Sequence, residues 1–155
     1  MMVSETLRTV TWQAALLACR AAVDHAAGQG WQVNVAVTDR SGTLVGFLRM
    51  PRSFPQSAQI AIEKARTAAG FGFPTSQWMA ACADNEGMKL GFSNQPGLIV
   101  FGGGLPLVDG GQVIGGIGVS GASETQDEQC ARIGLQALEA ASTQEQQPPK
   151  QRPFE

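Results

Sequence analysis

Residues 101–131 read FGGGLPLVDGGQVIGGIGVSGASETQDEQCA, and this segment decides the fold. Asp109-Gly110-Gly111 predicts a hairpin, because an aspartate followed by glycine supplies the positive φ angles of a tight turn. The strand that follows alternates its side chains between two faces. One of these faces has almost no bulk and consists of Ile114, Gly116, Gly118 and Ser120. A strand gives up packing in this way where a helix backbone or a ligand comes close, and a closely packed helix is the commoner reason.

The same strand contains the pattern G-x-G-x-x-G at residues 116–121 and leads into a helix, as in dinucleotide-binding proteins. A Rossmann unit requires a further parallel strand after that helix, whereas this chain continues into a Gln- and Pro-rich end. The first turn of the helix also carries Glu124, Asp127 and Glu128. These carboxylates suit a helix N-terminus but would repel a pyrophosphate. The pattern therefore does not predict nucleotide binding.

Composition indicates one globular domain with a core of its own. The chain has 155 residues, of which 43% are hydrophobic and 15% charged, with a net charge of −2. We expect a single domain over residues 1–141. Residues 142–155 are rich in Gln and Pro, which predicts a flexible C-terminal tail.

Several classes of partner and site are disfavoured by the same sequence. The acidic pI of about 5.4 and the lack of a Lys/Arg run argue against nucleic acid. No apolar run reaches membrane-spanning length, so a membrane partner is not expected. The N-terminus lacks an apolar signal core, which predicts a cytoplasmic protein. Three widely spaced cysteines and one histidine predict no metal site.

Hydrophobic periodicity and turn residues predict an α+β domain. Thr11 can cap a helix over residues 12–27, whose apolar stripe is Trp12, Leu16, Cys19, Val23 and Ala26. Further helices are predicted at residues 55–69, at 75–83, and from Ser123 or Thr125 to about Ala141, with Thr125 and Glu128 at capping-box spacing. Strands are predicted at residues 33–37, 43–50, 98–101, 105–108 and 112–120. Because hairpins make neighbouring strands antiparallel, we predict a five-stranded antiparallel sheet with packed helices, of the profilin or PAS kind.

Two charged residues interrupt small-residue faces. Lys64 lies on a small, apolar face of the helix over residues 55–69, either as a snorkelling stem or as a cation with a function. Asp127 heads the small-residue face of the last helix, near the end of the strand that contains Gly116 and Gly118. It is either an ordinary first-turn carboxylate or a member of a site. Opposite charges brought close there would form an ion pair or flank one ligand.

Two further features are candidates for binding. The run Gly102-Gly103-Gly104 joins two strands without the Lys-Ser/Thr of a P-loop, so it forms either a bulge or a backbone N–H cradle for a ligand oxygen. His25 lies near the end of the first helix, where the helix terminus favours a charged imidazole and a surface role. Its functional alternative is an axial haem ligand.

Four segments in order resemble the GlcG/HbpS family, the haem-degrading-domain family related to the C-terminal domain of PduO. They are VAVTDRSGTLVGFLRM at residues 35–50, AIEKARTAAGF at 61–71, GGLPLVDGGQVIGGIGVSGA at 103–122, and Asp127-Glu128. The resemblance implies a profilin-like fold and a homo-oligomer. It also implies functions that vary among members, from haem or corrinoid binding to accessory or enzymatic roles in small-molecule catabolism. The residues that match characteristic positions of the family are Lys64, Thr67, Gly103, Gly104, Pro106, Gly121 and Asp127.

Our first hypothesis is a cytoplasmic, homo-oligomeric small-ligand-binding protein, with haem or a related tetrapyrrole as the ligand. The favoured axial group is His25, and a methionine or the Cys19 thiolate is the alternative. The alternative is a lyase or isomerase that acts on a small carboxylic acid or quinone-like catabolite, in which Lys64 holds the anion and Asp127 moves a proton. A third is an accessory protein that stabilises a partner. The predicted ligand-binding residues are Lys64, Thr67, Gly103, Gly104, Gly121 and Asp127.

Overall fold

A computed structural model describes residues 1–145 of the chain. Four strands form one antiparallel sheet in the order β2-β1-β4-β3: β1 (Asn34–Asp39), β2 (Leu44–Arg49), β3 (Gly104–Asp109) and β4 (Gln112–Ser120). The helices are α1 (Trp12–Gln29), α2 (Pro55–Phe71), α3 (Trp78–Ala81), α4 (Glu86–Ser93) and α5 (Glu124–Glu145), with a 3-10 turn at Thr75–Gln77 before α3. The predicted α+β class is therefore confirmed.

Helices cover both faces of the sheet. α1 and α5 pack together on one face, where alternate strand residues such as Val35, Val37 and Ile117 form the main core with small residues of both helices. α2 alone covers the other face, where Ala36 meets Ala61 and Ala65. The period-2 alternation of β1 and β4 thus divides the core into two layers.

The prediction of a fifth strand at residues 98–101 is wrong, since the described sheet has four strands. This segment binds the side of α2 instead of pairing with a strand. The backbone N–H of Ile99 donates to Thr67 Oγ1 at 3.1 Å, and the Thr67 hydroxyl lies 3.5 Å from the Gly97 carbonyl oxygen. Because a helix side chain satisfies these backbone groups, the segment has no need of a ladder partner.

The predicted turn and the first helix cap are confirmed. Gly110 and Gly111 have φ angles of 57° and 76°, which are the two positive values of a type I′ hairpin. Thr11 Oγ1 accepts from the Ala14 N–H at 3.2 Å. The last helix is capped at Ser123, the earlier of the two predicted starts, two residues before Thr125. There the side chains of Ser123 and Gln126 each accept from the other's backbone N–H, as in a capping box.

Helix boundaries differ modestly from the predicted ones. α2 continues to Phe71, and residues 86–93 form a helix of two turns outside the predicted helices. α5 continues through Glu145, beyond the predicted end at Ala141. The rest of the predicted tail, residues 146–155, lies outside the described residues. No helix within residues 1–145 is long and apolar enough to cross a membrane.

The glycine-lined face of β4 lies against the backbone of α2. A Cβ atom added to Gly118 would come within 2.0 Å of the Ala61 carbonyl oxygen, and one added to Gly116 within 2.1 Å of the Ala65 carbonyl oxygen. No ligand fits between these backbones. The closely packed helix, rather than a bound ligand, therefore explains the missing side chains.

We predict that Gly118→Ala destabilises the protein by more than about 2 kcal/mol, because two backbones must separate to admit the methyl group. Urea-induced unfolding followed by circular dichroism measures the free energy of unfolding. Gly70→Ala is the matched control, because it lies in α2 with nothing within 4 Å of the added atom. It is expected to be neutral or stabilising by up to about 1 kcal/mol. Equal effects of the two changes would contradict the close approach.

Candidate functional site

Lys64 is buried, with 1% of its surface exposed. Its ammonium Nζ donates to the Val119 carbonyl at 2.8 Å and to Asp127 Oδ2 at 3.0 Å. The predicted snorkelling alternative is therefore wrong, since the charge itself lies inside the protein. The structure instead brings together the two charged residues that interrupt small-residue faces.

The ammonium of Lys64 takes the place of a backbone N–H donor just before the start of β3. The Val119 N–H donates to the Gly103 carbonyl at 2.9 Å, as in a regular ladder. In an antiparallel pair the partner residue would return a second backbone hydrogen bond. Here the Val119 carbonyl accepts from Lys64 instead. The side chain thus continues the sheet at the point where β3 has yet to begin.

Asp127 joins the start of α5 to this point. One carboxylate oxygen accepts from Lys64, and Oδ1 accepts from the Ala122 N–H at 2.9 Å. The carboxylate is 2% exposed. It therefore satisfies both a buried cation and a backbone donor of the β4–α5 connection, which is how a buried charge is normally tolerated.

Burial and the partner charge act on Lys64 in opposite directions. Desolvation lowers the pKa of Lys64 below its ordinary value of 10.5, because an ammonium loses its hydration in the interior. The charge of Asp127, their hydrogen bond and the charge of Glu124 oppose this effect on the pKa. The Phe101 ring also lies over the ammonium, with its centroid 5.1 Å from Nζ, and this placement favours the charged form.

The glycine run wraps this buried cation. Gly103 has a φ angle of 125°, and a Cβ there would meet both Lys64 Nζ and the Val119 carbonyl oxygen at 2.6 Å. The Gly104 N–H donates to Thr75 Oγ1 at 2.9 Å, and a Cβ on Gly104 would lie 2.5 Å from the Lys64 carbonyl oxygen. Of the two predicted alternatives, a bulge or a ligand cradle, the cradle does not fit, because the protein's own lysine fills the space.

The remaining predicted site residues play local roles. Thr67 holds residues 97–99 against α2, as described above. Gly121 has a φ angle of 140°, and a Cβ there would lie 2.5 Å from the Gln32 carbonyl oxygen, so it makes the turn out of β4 possible. Both residues border the segments that carry Lys64 and Asp127, but neither has a hydrogen bond to these two residues.

His25 lies apart from this cluster. It belongs to α1, on the opposite face of the sheet from α2. Its ring meets Trp31 edge-on at a centroid distance of 6.0 Å. Nε2 is buried and has no hydrogen-bond partner among residues 1–145. The imidazole is therefore partly enclosed, whereas the predicted surface role requires an exposed ring.

The cysteines do not provide an activated nucleophile near the ion pair. Burial raises the pKa of Cys19 to about 12. Burial, and then the charge of Asp127, raise the pKa of Cys130 to about 11. Both therefore remain neutral thiols near neutral pH, and the thiolate is the reactive form.

A cleft of about 860 Å³ lies elsewhere on the molecule. It is bounded by the N-terminal segment, α1, β3 and the end of α5, with Leu17, Ile114, Leu135 and Leu138 on its apolar floor. Its volume falls within the range of small-molecule pockets. Neither Lys64 nor His25 lines it, so the predicted site residues and this space are separate.

The family described as haem-degrading protein HbpS-like matches residues 10–136. The chain belongs to this family. GlcG of Escherichia coli (strain K12) is 37% identical over 97 residues, which cover 63% of this chain and 70% of GlcG. The predicted resemblance to GlcG, HbpS and PduO is thus confirmed.

Solved structures of the family have the same fold. Streptomyces reticuli HbpS, solved as a double mutant, is 37% identical with a TM-score of 0.80, covering 87% of this chain and 90% of that one. A PduOC–haem complex is 30% identical with a TM-score of 0.76, covering 83% of this chain and 94% of that one. An HbpS-like relative therefore binds haem on this fold.

Sequence reasoning missed three contributors to the cluster. Phe101 was assigned to a strand, Thr75 was only part of a short helix, and the Val119 carbonyl is a backbone group that no residue type reveals. The sequence did contain a sign that Phe101 contacts the cation. It precedes three glycines, which have no side chains that could cover a buried charge.

We predict that Lys64→Met and Asp127→Leu each lower the free energy of unfolding by about 3–5 kcal/mol, because each leaves an uncompensated buried charge. The double variant Lys64→Met/Asp127→Leu should lose much less than the sum, since both charges are absent. Urea-induced unfolding of all four proteins measures the coupling. Lys89→Met is the control, because its partner Glu86 is exposed and such pairs contribute little. Additive losses would contradict a buried ion pair.

Proposed function

We propose that this protein binds haem or a related tetrapyrrole. The observation that carries the proposal is the haem complex of a relative with the same fold, 30% identical to this chain. The chain adds a suitable donor, since His25 is its single histidine and Nε2 has no hydrogen-bond partner in the described part of the chain. Imidazole is a common axial ligand of haem iron.

His25 would hold the iron, and Trp31 would provide an aromatic wall beside the imidazole. Nε2 is enclosed in the described conformation, so the ring must turn about its side-chain bonds to present a nitrogen outward. Such rotamer changes are ordinary for a partly exposed side chain. Haem itself would supply the redox or oxygen chemistry, and the protein would supply the axial donor and an apolar surface.

We predict that hemin titration gives a saturable Soret band in the wild-type protein and that His25→Gly removes or shifts it. Exogenous imidazole should restore the wild-type band in His25→Gly, because it enters the vacated space and replaces the missing donor. Gln13→Gly on the same helix is the control for loss of helix stability. A Soret band that is unchanged by His25→Gly would assign the iron to another residue or to non-specific adsorption.

We also propose that the protein assembles as a homo-oligomer, and its cytoplasmic location stays a prediction. Several large apolar side chains are exposed in the single chain, and exposed apolar residues that lie together mark interaction surfaces. Trp12 and Leu16 of the predicted core stripe are 64% and 54% exposed, one turn apart on α1. They border a shallow apolar cleft with Val45 and Phe47 of β2.

Residues 78–92 support this proposal only in part. Met79, Met88 and Leu90 are exposed. Trp78 is only 3% exposed, because it packs against Phe71 and Phe92, each with its ring centroid 4.7 Å away. The apolar side chains of α1 and β2 are therefore the better candidate for a subunit contact.

We predict a mass in light scattering that is a multiple of 16.3 kDa. Leu16→Lys should lower this mass toward the monomer, since it places a charge within the exposed apolar group on α1. Leu7→Lys is the matched control, because Leu7 is 55% exposed and lies outside that group. A wild-type protein that is monomeric at all concentrations would contradict the proposal.

The alternative function is proton transfer or ligand polarisation at Lys64 and Asp127. One observation favours it: the buried ammonium has two oxygen partners among residues 1–145, although it carries three N–H donors. The third donor is available to a ligand oxygen. In this proposal Lys64 binds the ligand oxygen and Asp127 exchanges the proton, as in a lyase or isomerase.

A further inference from the structure

Phe101 lies over the buried ammonium of Lys64. Its ring lies over the ammonium at 5.1 Å, and Phe101 is 42% exposed whereas Lys64 is 1% exposed. On the inner side of the ammonium lie its two oxygen partners, Asp127 and the Val119 carbonyl. The third N–H donor of the ammonium has no hydrogen-bond partner among residues 1–145, and Phe101 is the exposed side chain that lies over the ammonium.

The segment that carries Phe101 is fixed on both sides of the ring. Before it, the Ile99 N–H donates to Thr67 Oγ1 at 3.1 Å. After it, the Gly104 N–H donates to Thr75 Oγ1 at 2.9 Å, and the Gly103 carbonyl accepts from Val119. Thr67 and Thr75 are both buried, at 4% and 0% exposure. The backbone is thus held in place while the ring between the two attachments has a free outer face.

The charges around the ammonium disfavour an anionic ligand. Asp127 is in direct contact with Lys64, and Glu124 is close enough to act on it electrostatically. Two carboxylates therefore surround one cation, and a third carboxylate brought to this point would meet net negative charge. A neutral carbonyl oxygen can accept the remaining N–H without that repulsion.

We infer that Phe101 is a swinging cover of Lys64 and that the ligand it admits is a neutral, planar carbonyl compound. The inference rests on the proposed alternative function at Lys64 and Asp127. It narrows the ligand from a carboxylic acid to a quinone-like or ketone-like molecule. When the phenyl ring turns outward, the carbonyl oxygen of the ligand accepts from the ammonium, and the flat body of the ligand occupies the former place of the ring.

Lysine acylation tests the cover without any ligand. N-succinimidyl acetate labels accessible amines, and peptide mass spectrometry reports the rate at each lysine. In Phe101→Ala we expect the Lys64 rate to rise at least about fivefold, with the Lys89 rate unchanged as an internal standard, because only the local cover is lost. Phe54→Ala is the matched control, since Phe54 is also exposed, at 65%, and lies at the far end of α2.

Subdenaturing urea separates local uncovering from unfolding. A Lys64 rate that is insensitive to urea supports local opening, whereas a rate that rises steeply with urea reports global unfolding and overturns the cover. An unchanged Lys64 rate in Phe101→Ala also overturns it. Phe101→Leu repeats the test with a bulkier apolar side chain if the alanine variant does not fold.

A matched pair of probes tests the ligand class. Acetophenone and benzoate share a phenyl ring and differ in carrying a neutral ketone or a carboxylate. In Phe101→Ala, acetophenone should slow Lys64 acylation at least about threefold at a concentration where benzoate has no effect. Stronger protection by benzoate would overturn the assignment of a neutral ligand. No protection by either probe would remove the ligand site and with it the alternative function, while the acylation rates alone still decide whether Phe101 is a cover.

Discussion

The structure depends on the contact of α2 with a strand that has no side chains on that face. Gly116 and Gly118 let the helix backbone come within van der Waals distance of β4, and no residue with a Cβ atom fits in their place. This contact fixes the height of α2 above the sheet. Because α2 lies so close to the sheet, there is no space between them for a long side chain. The Lys64 side chain therefore extends past the sheet, along the start of β3. The glycines at 103 and 104 leave room for it there.

The ion pair is a consequence of that packing and not an independent source of stability. Taking an ammonium and a carboxylate out of water costs several kcal/mol per ion, and their attraction offsets this only when the other donors and acceptors are also satisfied. Here these donors and acceptors are nearly all satisfied, because the Val119 carbonyl accepts from Lys64 and the Ala122 N–H donates to Asp127. The pair therefore connects α2, β4 and α5 at one point and specifies how these elements fit together. A hydrophobic pair of similar volume would stabilise the fold as well, but it would not fix the β4–α5 turn by hydrogen bonds.

Hydrophobic periodicity and turn-forming residues were enough to predict most of the fold. The hairpin at Gly110-Gly111, the Thr11 cap and the close helix on β4 follow from local rules, and the proximity of Lys64 to Asp127 follows from two faces that must meet the same sheet. The segment at residues 98–101 could not be predicted, because its apolar pattern suits a strand and only tertiary contact with Thr67 decides otherwise. The α1 stripe is confirmed at Cys19 and Ala26, which are buried, but its first two residues were misplaced for a related reason. Small residues such as Ala15, Ala18 and Ala22 form the buried face, while the larger Trp12 and Leu16 face outward. A prediction from hydrophobicity alone places the large side chains in the core and the small ones at the surface, which is the opposite of their positions in α1.

The two proposed functions use opposite faces of the sheet, and this separation makes them independent. His25 lies on α1, with α5 beside it, whereas Lys64 lies on α2 and reaches Asp127 only around the start of β3. A haem bound at His25 would therefore not contact Phe101 or the ammonium. One route for coupling between the sites is α5, since its first turn holds Asp127 and the helix packs on α1. An influence of the haem site that travels along this helix should appear as a change in the geometry of Asp127.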